Sequence, residues 1–206
     1  MESSLSSVTF GLTVLATVVM AVTAAIQATR QDFDLFGAAT LSVVTAVGGG
    51  TLRDLLIGAT PVFWLTDMTY LAAAVPVSIL TYFLSKRVGQ SGGQRLRFLQ
   101  YLDAIGLALF TLVGVQTALT VDLPIFSVIV LGCITGVAGG MFRDMLSGLQ
   151  PAILKQDLYA TISLIGGAAY VALRENFDDT LSLIVAFILM IIARSIVVYR
   201  NGLTGE

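Results

Sequence analysis

Slid against itself by 90 positions, this chain repeats a segment of 17 residues. Thr45 to Pro61 aligns with Thr135 to Pro151, and nine of the 17 positions are identical, in the pattern Thr-x-Val-x-Gly-Gly-x-x-Arg-Asp-x-Leu-x-Gly-x-x-Pro. Asp67 and Asp157 keep the register beyond the prolines. Biased composition produces chance Leu or Gly matches, but not a shared Gly-Gly-x-x-Arg-Asp-x-x-x-Gly-x-x-Pro. Whatever the chain folds into must therefore hold two copies of one unit.

The solvent for that fold is lipid. Only 12% of the 206 residues are charged and 56% are hydrophobic, with a mean hydropathy of +0.91. A soluble domain carries about 25% charged residues. Seven apolar stretches stand out, at 6–29, 37–57, 68–85, 101–121, 124–146, 158–173 and 180–199. Each approaches the roughly 20 residues that a spanning helix needs. No segment alternates polar and apolar residues as a membrane barrel would. The fold class expected is an all-α integral membrane protein with seven transmembrane helices. The N-terminus lacks the basic region of a secretory signal, so the first stretch reads as a retained span.

Orientation follows from the basic residues. The linker from Ser85 to Arg97 holds Lys86, Arg87, Arg95 and Arg97 without an acid, which places it in the cytoplasm. Seven spans then put the N-terminus outside and the C-terminus inside, the arrangement of a multi-pass membrane protein. Arg30, Lys155 and Arg200 also fall inside, making seven basic residues there, against Arg174 alone outside. Arg53, Arg143 and Arg194 lie within spans. Because the repeated unit holds three spans, an odd number, its second copy must be inverted. The divisions expected are 1–85 for the first three-helix repeat and 86–97 for the basic cytoplasmic linker. Residues 98–174 form the inverted second repeat, and 175–206 the seventh helix with a cytoplasmic C-terminus.

Inverted repeats are a recurrent architecture of transport proteins, with sites near the midplane where broken helices meet. Gly48, Gly49 and Gly50 in the second span, and Gly139 and Gly140 after Ala138 in the fifth, suit a kink or local unwinding. They equally suit close packing of helices over small residues. Buried charges shift the balance toward function. An Arg in the membrane interior costs at least about 2.5 kcal/mol on insertion scales and needs a partner or cavity. Arg53 and Asp54, like Arg143 and Asp144, point about 100° apart on a helix and need not pair with each other. They are expected to border one pathway and close it or shape its field. The alternative is two structural ion pairs. Thr45 and Thr135, two turns earlier on the same face, either line the pathway or bond back to their own helix. Asp103 reads as interfacial, and Arg194 as able to snorkel.

Enzymatic chemistry has little to work with. There is no His, and the one cysteine, Cys133, lies in an apolar run, so neither a metal site nor catalytic residues can be named. The scattered basic residues argue against nucleic acid. No cofactor and no soluble partner are implied.

Gly48 to Asp54, its echo at Gly139 to Asp144, and the run Asp103-Ala104-Ile105-Gly106-Leu107-Ala108-Leu109-Phe110 resemble the prokaryotic members of the trimeric intracellular cation (TRIC) channels. The resemblance covers essentially the whole chain. It implies a homotrimer in the lipid of a prokaryotic inner (plasma) membrane, with a potassium-permeable pore in each protomer lined by the kinked second and fifth spans. The sequence departs from the pattern at Ala138, where a full glycine triplet would stand, and at Thr13 and Ala16, which stand opposite Asp103 and Gly106. A secondary transporter of a small solute such as glycine is the alternative, since inverted repeats with broken helices describe carriers too.

Overall fold

The structure is a computed structural model that describes residues 2–87, 92–155 and 158–204, with side chains over 8–87, 96–154 and 158–200. Nine helices occupy the described residues. They are α1 (Glu2–Arg30), α2 (Leu35–Leu56), α3 (Phe63–Thr66), α4 (Thr69–Arg87), α5 (Gly92–Ala118), α6 (Ile125–Leu146), α7 (Ala152–Lys155), α8 (Tyr159–Leu173) and α9 (Asp179–Thr204). The seven longer ones fall on the seven apolar stretches. The offset of 90 recurs in their bounds: both ends of α6 are those of α2 plus 90, and α8 starts 90 residues after α4. The second half of the basic linker is already helix, since α5 begins at Gly92. Its middle, 88–91, lies outside the described residues, as does Asp157.

Five helices are long and apolar enough to cross a membrane: α1, α2, α5, α6 and α9. The chain is thus an all-helical membrane protein. α8 is apolar but has only 15 residues, and α4 contains Pro76 and ends in Lys86 and Arg87. In lipid a chain has no water to satisfy its backbone, so intrahelical bonding is the stable solution. Helix ends need their own partners. Asp34 caps α2 by accepting from the Gly37 N–H at 2.7 Å. α2 and α6 stop at Gly58 and Gly148, whose φ values of +71° and +69° are left-handed. There the N–H groups of Ala59 and Leu149 donate back to the carbonyls of Asp54 and Asp144 at 2.8 and 2.9 Å. This closure needs a residue that tolerates positive φ, which is why the repeated motif keeps that glycine.

Small residues set the packing. Gly132, Gly136 and Gly140 stand every fourth residue on α6, and Ser42, Ala46 and Gly50 hold the same places on α2. A side chain added at Gly132 or Gly136 would run 2.9 Å from α5 backbone oxygens at Thr111 and Leu107. On α2 the Ser42 hydroxyl donates to the Ala21 carbonyl of α1 at 3.1 Å, and Ser78 of α4 donates to Ser42 at 2.8 Å. Such close approach over small residues is how helices gain contact where lipid removes the hydrophobic drive. The contacts repeat as well. α1, α2 and α4 pack on one another as α5, α6 and α8 do, while α1 meets α5 and α2 meets α6 across the halves. α9 has no counterpart and lies on α5 and α8.

Candidate functional site

α2 and α6 cross at the glycines. A Cβ at Gly49 would run into the Thr135 carbonyl oxygen of α6, and one at Gly139 would lie 2.5 Å from the Thr45 carbonyl oxygen of α2. Each glycine thus receives the backbone of the other helix. Both helices continue unbroken through these residues, so the local unwinding expected there is absent. The glycines serve approach instead. Gly48 clears the ring of Phe142, and Gly50 that of Phe63. At the repeat positions, Ala138 stands in place of Gly48 and Leu52 in place of Phe142. The Thr45 and Thr135 hydroxyls turn back to the Leu41 and Leu131 carbonyls, each at 2.7 Å, and both residues are buried.

One turn beyond, the motif's charges pair within each copy. The Arg53 Nε and Nη2 donate to Asp54 Oδ1 at 2.9 and 2.7 Å. The helix separates the two Cβ directions, but the Arg stem is long enough to fold back over the next residue. Asp54 Oδ2 accepts from the Phe63 N–H at 2.9 Å, so one carboxylate neutralises the arginine and starts α3. The second copy does the same. Arg143 Nε donates to Asp144 Oδ1 at 3.0 Å, and Asp144 Oδ2 accepts from the Ala152 N–H that opens α7 at 3.1 Å.

The surroundings differ between the copies. The Arg53 guanidinium lies 5.6 Å from the Phe63 ring centre and borders an open cavity of about 730 Å³. That cavity is also walled by Thr9 and Thr13 of α1, Gln116 and Thr117 of α5, and Asp179 at the start of α9. At its rim Tyr170 donates to Asp179 at 2.7 Å, and the Arg174–Asp179 ion pair spans 3.5 Å.

Arg143 is held more tightly. Its Nη1 donates to Asp103 Oδ1 at 2.7 Å and to the Thr23 hydroxyl at 3.1 Å, and Tyr159 donates to Asp103 Oδ2 at 2.7 Å. Asp103 therefore does not stand free at the membrane surface; it is 4% exposed and is the second counter-charge of Arg143. Nor does Arg194 snorkel: it is buried, with its guanidinium 4.6 Å from the Tyr159 ring centre. Sequence reasoning set Asp103 aside because Thr13, 90 residues earlier, is not an acid, and Arg194 because it stands near the inner end of the last span. The signal for Asp103 was an acid within an apolar stretch with Gly106 one turn on.

Two kinds of site thus sit on either side of the glycine crossing. One is an ion pair bordering an open cavity. The other is a buried cluster drawn from α1, α5, α6, α8 and α9. The site residues named from sequence all lie on the crossing or on these two pairs.

Known proteins resemble this chain along most of its length. A family model described as "Glycine transporter" matches residues 10–86 and 100–175, two stretches that begin 90 residues apart. The UPF0126 inner membrane protein YadS of Escherichia coli (strain K12) is 38% identical over 169 residues, covering 82% of this chain and 80% of that protein. The crystal structure of a TRIC trimeric intracellular cation channel orthologue from Rhodobacter sphaeroides superposes with a TM-score of 0.88 at 37% identity, covering 97% of this chain and 100% of that one. A prokaryotic TRIC channel crystallised in 0.5 M KCl gives a TM-score of 0.89 at 28% identity, covering 95% and 98%. With matches of this extent in sequence and in fold, the chain is a member of the prokaryotic TRIC channel family.

Proposed function

We propose that the chain is a homotrimeric channel for monovalent cations, potassium foremost, with one pore in each protomer between α2 and α6. The observation that carries this reading is the open cavity of about 730 Å³ lined by the Arg53–Asp54 pair, one turn beyond the glycine crossing of α2 and α6. The pairing of each arginine with its own carboxylate supports cation passage, because it removes the positive charge that would otherwise repel potassium. The permeant ion needs no cofactor.

Around this pore we place seven transmembrane helices, α1, α2, α4, α5, α6, α8 and α9, with α3 and α7 as short connectors. Residues 1–85 and 98–174 are the two inverted three-helix repeats, 86–97 the cytoplasmic linker, and 175–206 the seventh helix and tail. The reciprocal contacts of α1 with α5 and of α2 with α6 favour a two-fold relation between the halves, because like elements then meet like. The cavity wall collects the N-terminal part of α1, the C-terminal parts of α2, α5 and α8, and the start of α9. Those ends share one side if the seven helices alternate in direction. With the N-terminus outside and the C-terminus cytoplasmic, that side is the outer face of the inner membrane.

Purified protein in planar bilayers tests the reading. Unitary currents with a potassium reversal potential are expected, and chemical crosslinking in detergent should stop at three copies. Saturable uptake without unitary currents would instead favour the second reading, a carrier for a small zwitterion such as glycine. The specific observation behind that alternative is the cavity's lining, which offers a guanidinium and a carboxylate side by side.

A further inference from the structure

One face of α1 is polar where close packing has no use for polarity. Thr9, Thr13, Thr17, Met20, Ala24 and Gln27 succeed one another at steps of three and four residues, within an arc of about 80° on an α-helix. Thr9 and Thr13 wall the cavity. Thr17, further along, is 0% exposed, and its hydroxyl has no hydrogen-bond partner. By contrast Thr13, Thr23 and Thr29 on the same helix each donate to a carbonyl three or four residues back. Gln27 is 1% exposed; its Oε1 accepts from Arg30 at 3.1 Å, while its Nε2 has no partner. Buried polar atoms are nearly always satisfied, and in a lipid-embedded bundle an unsatisfied one is costly. Two such atoms on one face need a physical reason.

Between them stands Met20. It is 1% exposed, and a Cβ added at Gly106 of α5 would meet its sulfur, while one at Gly139 of α6 would lie 3.5 Å from its methyl group. Met20 therefore fills the space beside the α2–α6 crossing. Its repeat equivalent on α5 is Phe110, and both belong to one buried apolar cluster with Ala16, Ala46 and Leu109. The polar face of α1 is interrupted by an apolar plug where the two halves meet. Methionine is unbranched, with three rotatable bonds, so it can vacate such a space without moving backbone.

We infer that α1 is a wall of the ion path and that Met20, backed by Phe110, forms its closed constriction. Thr9, Thr13 and Thr17 are steps toward it from the cavity, and Gln27 continues the path beyond. When Met20 swings aside, water reaches the Thr17 hydroxyl and the Gln27 amide, and the Thr17 oxygen offers lone pairs to a partly dehydrated monovalent cation. This rests on the channel reading, but adds a third lining helix and a named constriction.

Single-channel recording of the purified full chain in potassium chloride tests it. Met20→Ala is expected to raise open probability or unitary conductance severalfold. The isosteric Thr17→Val is expected to lower unitary conductance markedly. Thr17→Cys, in a Cys133→Ala background, should be blocked by a charged, water-soluble thiol reagent only while channels open. Leu109→Ala removes similar volume from the same cluster off this face, and should give wild-type currents. Wild-type behaviour of Met20→Ala and Thr17→Val, with Thr17→Cys inert to the reagent, overturns the inference and leaves the channel reading standing. An equal rise from Leu109→Ala also overturns it, because general loosening would then explain the effect. Absence of unitary current from the unsubstituted protein removes the channel reading itself, and the constriction with it.

Discussion

Asp103 on α5 reaches Arg143 on α6 at 2.7 Å, whereas the position equivalent to Asp103 in the first half is Thr13, which has no charge to offer Arg53. The two arginines of the repeated motif therefore live in different fields. Arg143 holds two carboxylates and a threonine hydroxyl, while Arg53 has one carboxylate and an aromatic ring beside a cavity.

Asp103→Asn should destabilise the protein by about 3–5 kcal/mol, the usual result of removing one partner from a buried ion pair. The thermal midpoint in detergent, followed by tryptophan fluorescence or by loss of monodispersity, is the measurement. A midpoint equal to that of the unsubstituted protein would mean that Asp144 alone suffices for Arg143.

Tyr159→Phe removes the hydroxyl that donates to Asp103 Oδ2 and should cost about 1–3 kcal/mol through the acceptor it leaves unpaired. Combined with Asp103→Asn, the two effects should fall short of additivity by about 0.5–3 kcal/mol, because they act on one network. Strict additivity in the double-mutant cycle would show that the hydroxyl and the carboxylate act independently.

Gly49→Ala and Gly139→Ala each drive a methyl group into a backbone carbonyl, which cannot rotate away, and should cost about 1–3 kcal/mol or more by overpacking. Gly11→Ala meets nothing within 4 Å and should be neutral or stabilising by up to about 1 kcal/mol from helix propensity. Thermal midpoints of the three variants side by side decide the matter; the order would be wrong if Gly49→Ala matched Gly11→Ala.

Arg53→Ala and Arg143→Ala should separate. The first, beside the cavity, is expected to change potassium flux and its voltage response while leaving the fold intact. The second, stripped from a cluster that keeps Asp103 and Asp144, is expected to lower stability first, because two buried carboxylates then face each other. Liposome flux read together with thermal midpoints distinguishes them. Unaltered flux, voltage response and selectivity in both would assign the charges to scaffolding.

Local repetition was legible in the sequence: the offset of 90 carries the bounds of α2 and α6 and the repeated Gly58 and Gly148 at which they stop. The pairing of each arginine with the aspartate beside it was not, because a step of about 100° on the helix separates the two and only the fold-back of the long Arg side chain joins them. The short helices α3 and α7 were not foreseen: four residues give no periodicity to read, and each depends on an aspartate eight or nine positions earlier accepting its first N–H. The Asp103–Tyr159–Arg194 side of the Arg143 cluster was illegible for another reason. Its members come from α5, α8 and α9, and neither Asp103 nor Arg194 is repeated, so only the packing of the bundle brings them together. The glycines were ambiguous by nature. An absent side chain can loosen a helix or admit a neighbour, and only the partner carbonyls of Thr135 and Thr45 decide between the two.

The exchange at Gly49 and Gly139, where each glycine takes in the carbonyl opposite the other, has a consequence for descent as well as for shape. A surface that fits its own copy is what a two-fold homodimer requires. A half-length ancestor bearing this glycine would have carried its own docking surface, and fusing two such chains would preserve the contact without new invention. Two fused halves would then be free to diverge in complementary steps, of the kind seen where Gly48 makes room for the Phe142 ring. Asp103, which only one half carries, would on that history be a later addition that gave Arg143 a counter-charge Arg53 lacks.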